Sequence, residues 1–191
     1  MIALRKIMAP KVWMPKLERG VDAANPPLPM LAELTPSAEE VDHFSIYEVE
    51  DEEKAAVVAA ALAMVSGMGP TRTVFATAQI ELLAAGGLKI QKTAGETHVP
   101  PVDALHRNLG VPNQGALALV ASHFINSEPI IVELDQVRRA VQTLALAGHY
   151  DFAAIAYARR KSGNPRAICE SALSLVATKH LIVQPPEAAA A

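Results

Sequence analysis

Prolines through an apolar N-terminal segment restrict this chain more than any other feature of it. Pro10, Pro15, Pro26, Pro27 and Pro29 interrupt residues 1–34, which also carry Ile2, Leu4, Ile7, Met8, Val12, Trp13, Met14, Leu17, Leu28, Met30 and Leu31. Proline lacks a backbone donor and breaks helix and strand interiors. Disordered linkers, in turn, are poor in large apolar side chains. A segment that cannot pack on itself but is rich in such groups is expected to pack on another chain. The reading is therefore a docking arm over residues 1–34, a core over 35–180 and a tail over 181–191. Ile7, Met8, Val12, Trp13, Met14 and Leu17 are the expected anchors at the subunit interface.

Alanine dominates the apolar composition and only 4% of residues are aromatic. That favours closely packed helices over a β-sandwich, which draws on Val, Ile, Thr, Tyr and Phe. The expected fold class is all-α: a compact, irregular helical core with extended N- and C-terminal arms. Residues 51–66 have an acidic start, an alanine-rich body and glycines at the end, which predicts a helix. Residues 71–85 predict a second, stopped by Gly86-Gly87, and 102–109 a short one ended by Gly110. Residues 89–101 read as a loop or short hairpin. Asn113 caps a helix to about Asn126. Residues 135–147 place Leu134, Val137, Val141 and Leu144 on one face, with Gly148 at the end. Further helices are expected after Thr35-Pro36, over 150–161, and from Asn164-Pro165 to about Thr178.

The single cysteine, Cys169, excludes an internal disulfide and a multi-cysteine zinc site, and makes a reducing compartment the default. No apolar run reaches transmembrane length, and prolines occupy the place of a signal-peptide core. Six histidines are present, without HExxH or helical metal-ligand spacing, so no metal is expected. Gly67-x-Gly69 and Gly86-Gly87 follow no predicted strand, which leaves nucleotide binding unsupported and no cofactor expected. No catalytic constellation can be assembled, and the chain does not read as an enzyme. Residues 105–120 have the turn glycine of a helix-turn-helix. Their second helix, however, lacks Lys or Arg for phosphates or guanine.

The formal net charge of −3 hides a segregation. Residues 33–53 are acidic and contain no Lys or Arg. Arg138, Arg139, Arg159, Arg160 and Lys161 fall late in the chain and leave apolar helix faces free. As a set, with Lys89, Lys92 and Arg107 extending it, they are candidates for neutralising phosphates without reading bases.

The order of these features resembles the coat proteins of flexuous filamentous plant RNA viruses, most closely the potyvirus type. Leu4-Arg5-Lys6-Ile7-Met8 and Met14-Pro15-Lys16-Leu17 look like the basic, Met- and Pro-containing lead into that core. Residues 31–44, ending Val41-Asp42-His43-Phe44, are similar to the stretch that follows. Gly95-Glu96-Thr97, Val99-Pro100-Pro101-Val102 and Ala121-Ser122-His123-Phe124 echo a loop and helix of the core. Tyr150-Asp151-Phe152 and Asn164-Pro165-Arg166-Ala167 resemble segments before its last helix.

The resemblance implies an all-helical core and polymerisation into a helical filament through the N-terminal arm, with single-stranded RNA buried in a continuous groove. It adds Asp151 to the RNA-binding set by position. The resulting expectation is a coat protein without base specificity, found in virions and host cytoplasm, not at a membrane. Alternatives are a coat protein of a filamentous DNA virus and a small helix-turn-helix regulator of duplex DNA.

Overall fold

The computed structural model describes residues 1–8, 10, 13, 28–36, 42–66, 70–95 and 97–150. Strands and helices alternate along it. They run β1 (Ile2–Lys6), α1 (Leu28–Glu33), β2 (His43–Val49), α2 (Glu52–Ser66), β3 (Thr73–Gln79) and α3 (Ile80–Ala85). The second half continues β4 (Ile90–Lys92), α4 (Pro100–Asp103), β5 (His106–Gly110), α5 (Gln114–Asn126), β6 (Ile130–Val132) and α6 (Leu134–Leu146). The strands form one six-stranded sheet in the order β4-β5-β2-β1-β3-β6. Every pairing is antiparallel.

This corrects the all-α expectation. The fold is mixed α/β, and the supposed arm begins with an inner strand. β1 pairs Leu4 with Tyr47 on one side and with Thr77 on the other. Because β2 and β3 both run antiparallel to β1, they are parallel to each other, and α2 is the crossover that joins them. A second crossover, α5, carries the chain from β5 past β2, β1 and β3 to β6.

Helices cover both faces. On the first face α2, α4 and α6 pack over Leu4, Tyr47, Val49, Phe75 and Val132. On the second, α1, α3 and α5 pack over Ala3, Phe44, Ile46, Val74, Ala76 and Leu109. The helix expected over 71–85 is confined to Ile80–Ala85, and Thr73–Gln79 is a strand, for which two-sided burial gives the reason. In β3, Thr73 through Ala78 are all buried, so the run shows no apolar–polar alternation. The period of two that marks a half-exposed strand is absent, and length does not separate such a run from a buried helix.

Residues 102–109 were expected to be helical. The helix is confined to Pro100–Asp103, and His106–Gly110 is a strand paired with β2 and β4. Gly110 ends that strand rather than a helix: its N–H donates to Lys89 O at 2.8 Å. The strand also removes the helix-turn-helix alternative, since the first helix of that motif does not exist.

Other expectations match. α2 runs from Glu52 to Ser66, with Asp51 Oδ1 accepting from Lys54 N at 2.9 Å. Its alanines Ala55, Ala59, Ala60, Ala61 and Ala63 are buried and let the helix lie close to the sheet and to α6. In α5, Asn113 Oδ1 accepts from Ala116 N at 3.0 Å as an N-cap. In α6, Val137, Ala140, Val141 and Leu144 face inward, and Gly148 turns the chain with φ +69°. The helices expected after Thr35-Pro36, over 150–161 and from 164 lie wholly or mainly outside the described residues.

Candidate ligand-binding cleft

Side chains alternate across a strand. In β2 this puts His43, Ser45 and Tyr47 on the first face, opposite Gly110, Asn108 and His106 of β5. Gln91 of β4 stands beyond Asn108 on the same face. Tyr47 lies under α2 and α4, within the apolar core. At the other end of the strand pair the surface is polar and open. A cleft of about 270 Å³ opens there, lined by Asp42, His43, Lys89, Gln91, Asn108, Gly110 and Pro112.

The cleft brings together complementary chemistry. Lys89 is an exposed ammonium. Gln91 and Asn108 are carboxamides on directly paired positions. Nδ1 of His43 is 3.1 Å from Oδ1 of Asp42, which orients the ring. The rim is held by backbone bonds: Val111 N donates to Asp42 O at 2.6 Å, and Gly110 N to Lys89 O. A second cleft, of about 360 Å³, shares Lys89, Gly110 and Pro112 and reaches Gly86, Gly87 and the first turn of α5 at Asn113 and Gly115.

Behind the cleft lies a more covered polar network. His106, 8% exposed, has Nδ1 2.8 Å from Thr93 Oγ1. Thr93 Oγ1 donates to Asn108 Oδ1 at 3.4 Å. Tyr47 packs edge-on against the His106 ring, with centroids 5.4 Å apart. The following loop is tied down by Asp103, whose Oδ1 accepts from both the N–H and the hydroxyl of Thr97, at 2.9 and 2.6 Å.

The expected RNA-binding residues do not form one groove among the described residues. Lys89 and Lys92 lie at the β4 edge. Arg138 and Arg139 are exposed on α6, which follows β6 at the opposite edge. Arg138 also pairs with Asp135 at 3.4 Å. Arg107 is turned into the protein: its Nε is 2.7 Å from Glu48 Oε2, and Nη1 donates to the carbonyls of Ala104 and His106. Asp151, Arg159, Arg160 and Lys161 lie outside the described residues.

Of the expected interface anchors, Ile7 and Trp13 are buried in the chain's own second-face core. Met8 is exposed, and its backbone N–H donates to Glu33 Oε2 at 3.0 Å. Val12, Met14 and Leu17 lie outside the described residues. His43, Gln91, Thr93, His106 and Asn108 were not among the candidates. Their signal is polar residues at period two in both 91–93 and 106–108, which only a strand reading of those segments makes visible.

Among the described residues, no cluster of three or more His, Cys, Asp or Glu side chains could hold a metal. No helix among them is long and apolar enough to cross a membrane. Comparison with known proteins finds no matching family, curated protein or solved structure. The class that the fold defines is an antiparallel α/β domain covered by helices on both faces, with a polar cleft at one end of the sheet.

Proposed function

We propose that this protein is a non-enzymatic binding module whose cleft takes a small anion that accepts several hydrogen bonds, a phosphate- or carboxylate-bearing molecule. The observation that carries this reading is the convergence of Lys89, Gln91, Asn108 and His43 on one cleft. Lys89 supplies charge. The two carboxamides and the imidazole supply directed donors, and hydrogen bonds to a charged group are stronger than neutral ones. Clefts that combine shape with a few convergent polar groups are the usual form of small-ligand sites.

The resemblance to filamentous-virus coat proteins implied an all-helical core. With a sheet in its place the resemblance has no fold behind it, and encapsidation of single-stranded RNA is not the function proposed.

Titration of ¹⁵N-labelled protein with inorganic phosphate, with succinate and with a single-stranded RNA oligomer tests the reading. Saturable shifts of the Gln91 and Asn108 side-chain amides are expected with phosphate or succinate. Lys89→Ala should weaken binding by about tenfold at low salt, the loss of one charge-assisted contact. Shifts that avoid the cleft, or an affinity indifferent to Lys89→Ala, would sink the proposal. A response to RNA alone, spread over Lys92, Arg138 and Arg139, would restore the nucleic-acid reading.

A further inference from the structure

We propose that His106 regulates this cleft without touching its ligand, by using the Thr93 hydroxyl to set which end of the Asn108 carboxamide faces the anion. This rests on the anion-binding reading above. The geometry is a short chain: His106 Nδ1 to Thr93 Oγ1 at 2.8 Å, then Thr93 Oγ1 to Asn108 Oδ1 at 3.4 Å. Asn108 lines the cleft and His106 does not.

A hydroxyl has one proton to donate. When Nδ1 of His106 carries a proton, it donates to Thr93 Oγ1, and the hydroxyl proton is directed to Asn108 Oδ1. The amide oxygen is then held inward and its NH₂ is presented to the cleft as a donor. When Nδ1 is bare, it takes the hydroxyl proton over the shorter of the two distances. Asn108 Oδ1 loses its donor, and the carboxamide is no longer held with its NH₂ toward the anion. Imidazolium always carries a proton on Nδ1. With the neutral ring in its Nε2–H tautomer, acidification adds the Nδ1 proton, fixes the donor state and tightens anion binding.

Among the groups at the ring are Tyr47 from β2, edge-on, and Thr93 from the end of β4, which links it to Asn108 two positions along its own strand. Asp103, at the end of α4, accepts from Thr97. Alternation places the Arg107–Glu48 pair on the opposite face. His43 and Asp42, by contrast, line the cleft itself. A useful test must separate His106 from them.

The test follows the Asn108 side-chain NH₂ resonance against pH in ligand-free protein, with the ring resonances of His43 and His106 assigned individually. The NH₂ shift is expected to follow the His106 midpoint in the parent protein and in Thr93→Ser, and to vanish in Thr93→Val. With inorganic phosphate as probe, affinity should rise about fivefold across that midpoint, the worth of one hydrogen bond, and less in Thr93→Val. An Asn108 resonance that does not titrate, that follows His43, or that titrates unchanged in folded Thr93→Val overturns the relay. Absence of phosphate binding with an intact NH₂ titration overturns only the ligand reading.

Discussion

Arg107 Nε and Glu48 Oε2 are 2.7 Å apart, and the two side chains are only 17% and 19% exposed. The pair sits where the chain passes from α4 into β5, beside the bond from Glu48 N to Leu105 O. Its guanidinium also satisfies two carbonyls. Arg107 thus holds the start of β5 in register with β2. Arg107→Met leaves Glu48 covered and without its cation, a defect expected to cost about 2–3 kcal/mol, below the range for fully buried pairs. Urea unfolding should show this, and Glu48→Gln combined with Arg107→Met should recover part of it.

Gly95 approaches the short helix α4 at close range. A Cβ there would lie 2.7 Å from the Asp103 Cα and would also meet the Asp103 carboxylate. Asp103 is the residue that Thr97 grips, so movement there loosens the whole loop. Gly95→Ala should destabilise by about 2 kcal/mol through overpacking. Gly87→Ala is the contrast: it has open space but φ +80°, so its penalty is backbone strain of about 1 kcal/mol. Chemical denaturation midpoints rank the two.

Phe124 of α5 and Phe44 of β2 are fully buried with ring centroids 6.3 Å apart, and Arg5 Cζ lies 4.8 Å from the Phe44 ring on the same face. Phe124→Ala should cost about 3–5 kcal/mol, as large core truncations do. Because α5 is the crossover that carries the chain to β6, the loss should also appear as increased amide exchange in Ile130–Val132.

Lys6 lies at the end of β1, and burial holds its pKa below the ordinary value of 10.5. The folded protein therefore releases this proton at lower pH than the unfolded chain does. Between the two values the unfolded state binds more protons, so stability rises with pH across that alkaline window. Below the folded value the cost of burying the charge is present in full. Lys6→Met should raise the thermal midpoint at neutral pH and remove the Lys6 share of the alkaline gain. An unchanged midpoint at neutral pH would count against a burial cost at this position.

Local signals in the chain were legible where they act locally. The acidic start and small-residue body of α2, the Asn113 cap of α5, the apolar stripe of α6 and the stop at Gly86-Gly87 all depend on neighbours within a turn or two. The strands were not legible. β1 has five residues, β4 and β6 three each, and β3 is buried on both faces. In these four strands alternation is either too short to register or erased by two-sided burial. The cleft was missed for the same reason. Gln91 and Asn108 meet only through strand pairing across a loop, and His43 reaches them only because β2 lies beside β5.

By itself, the sequence determined which segments form the longer helices and where they stop, because caps, small residues and period-3.6 stripes are local chemistry. It also determined that the first residues must be covered by something apolar. Only the tertiary structure decided what covers them. Ile2–Lys6 gains two hydrogen-bonding neighbours, β2 and β3, from residues more than forty positions away, and Ile7 and Trp13 enter the core of their own chain. Strand pairing and two-sided burial are long-range conditions. They turn the first residues of an apparent docking arm, Ile2–Lys6, into an inner strand of a sheet.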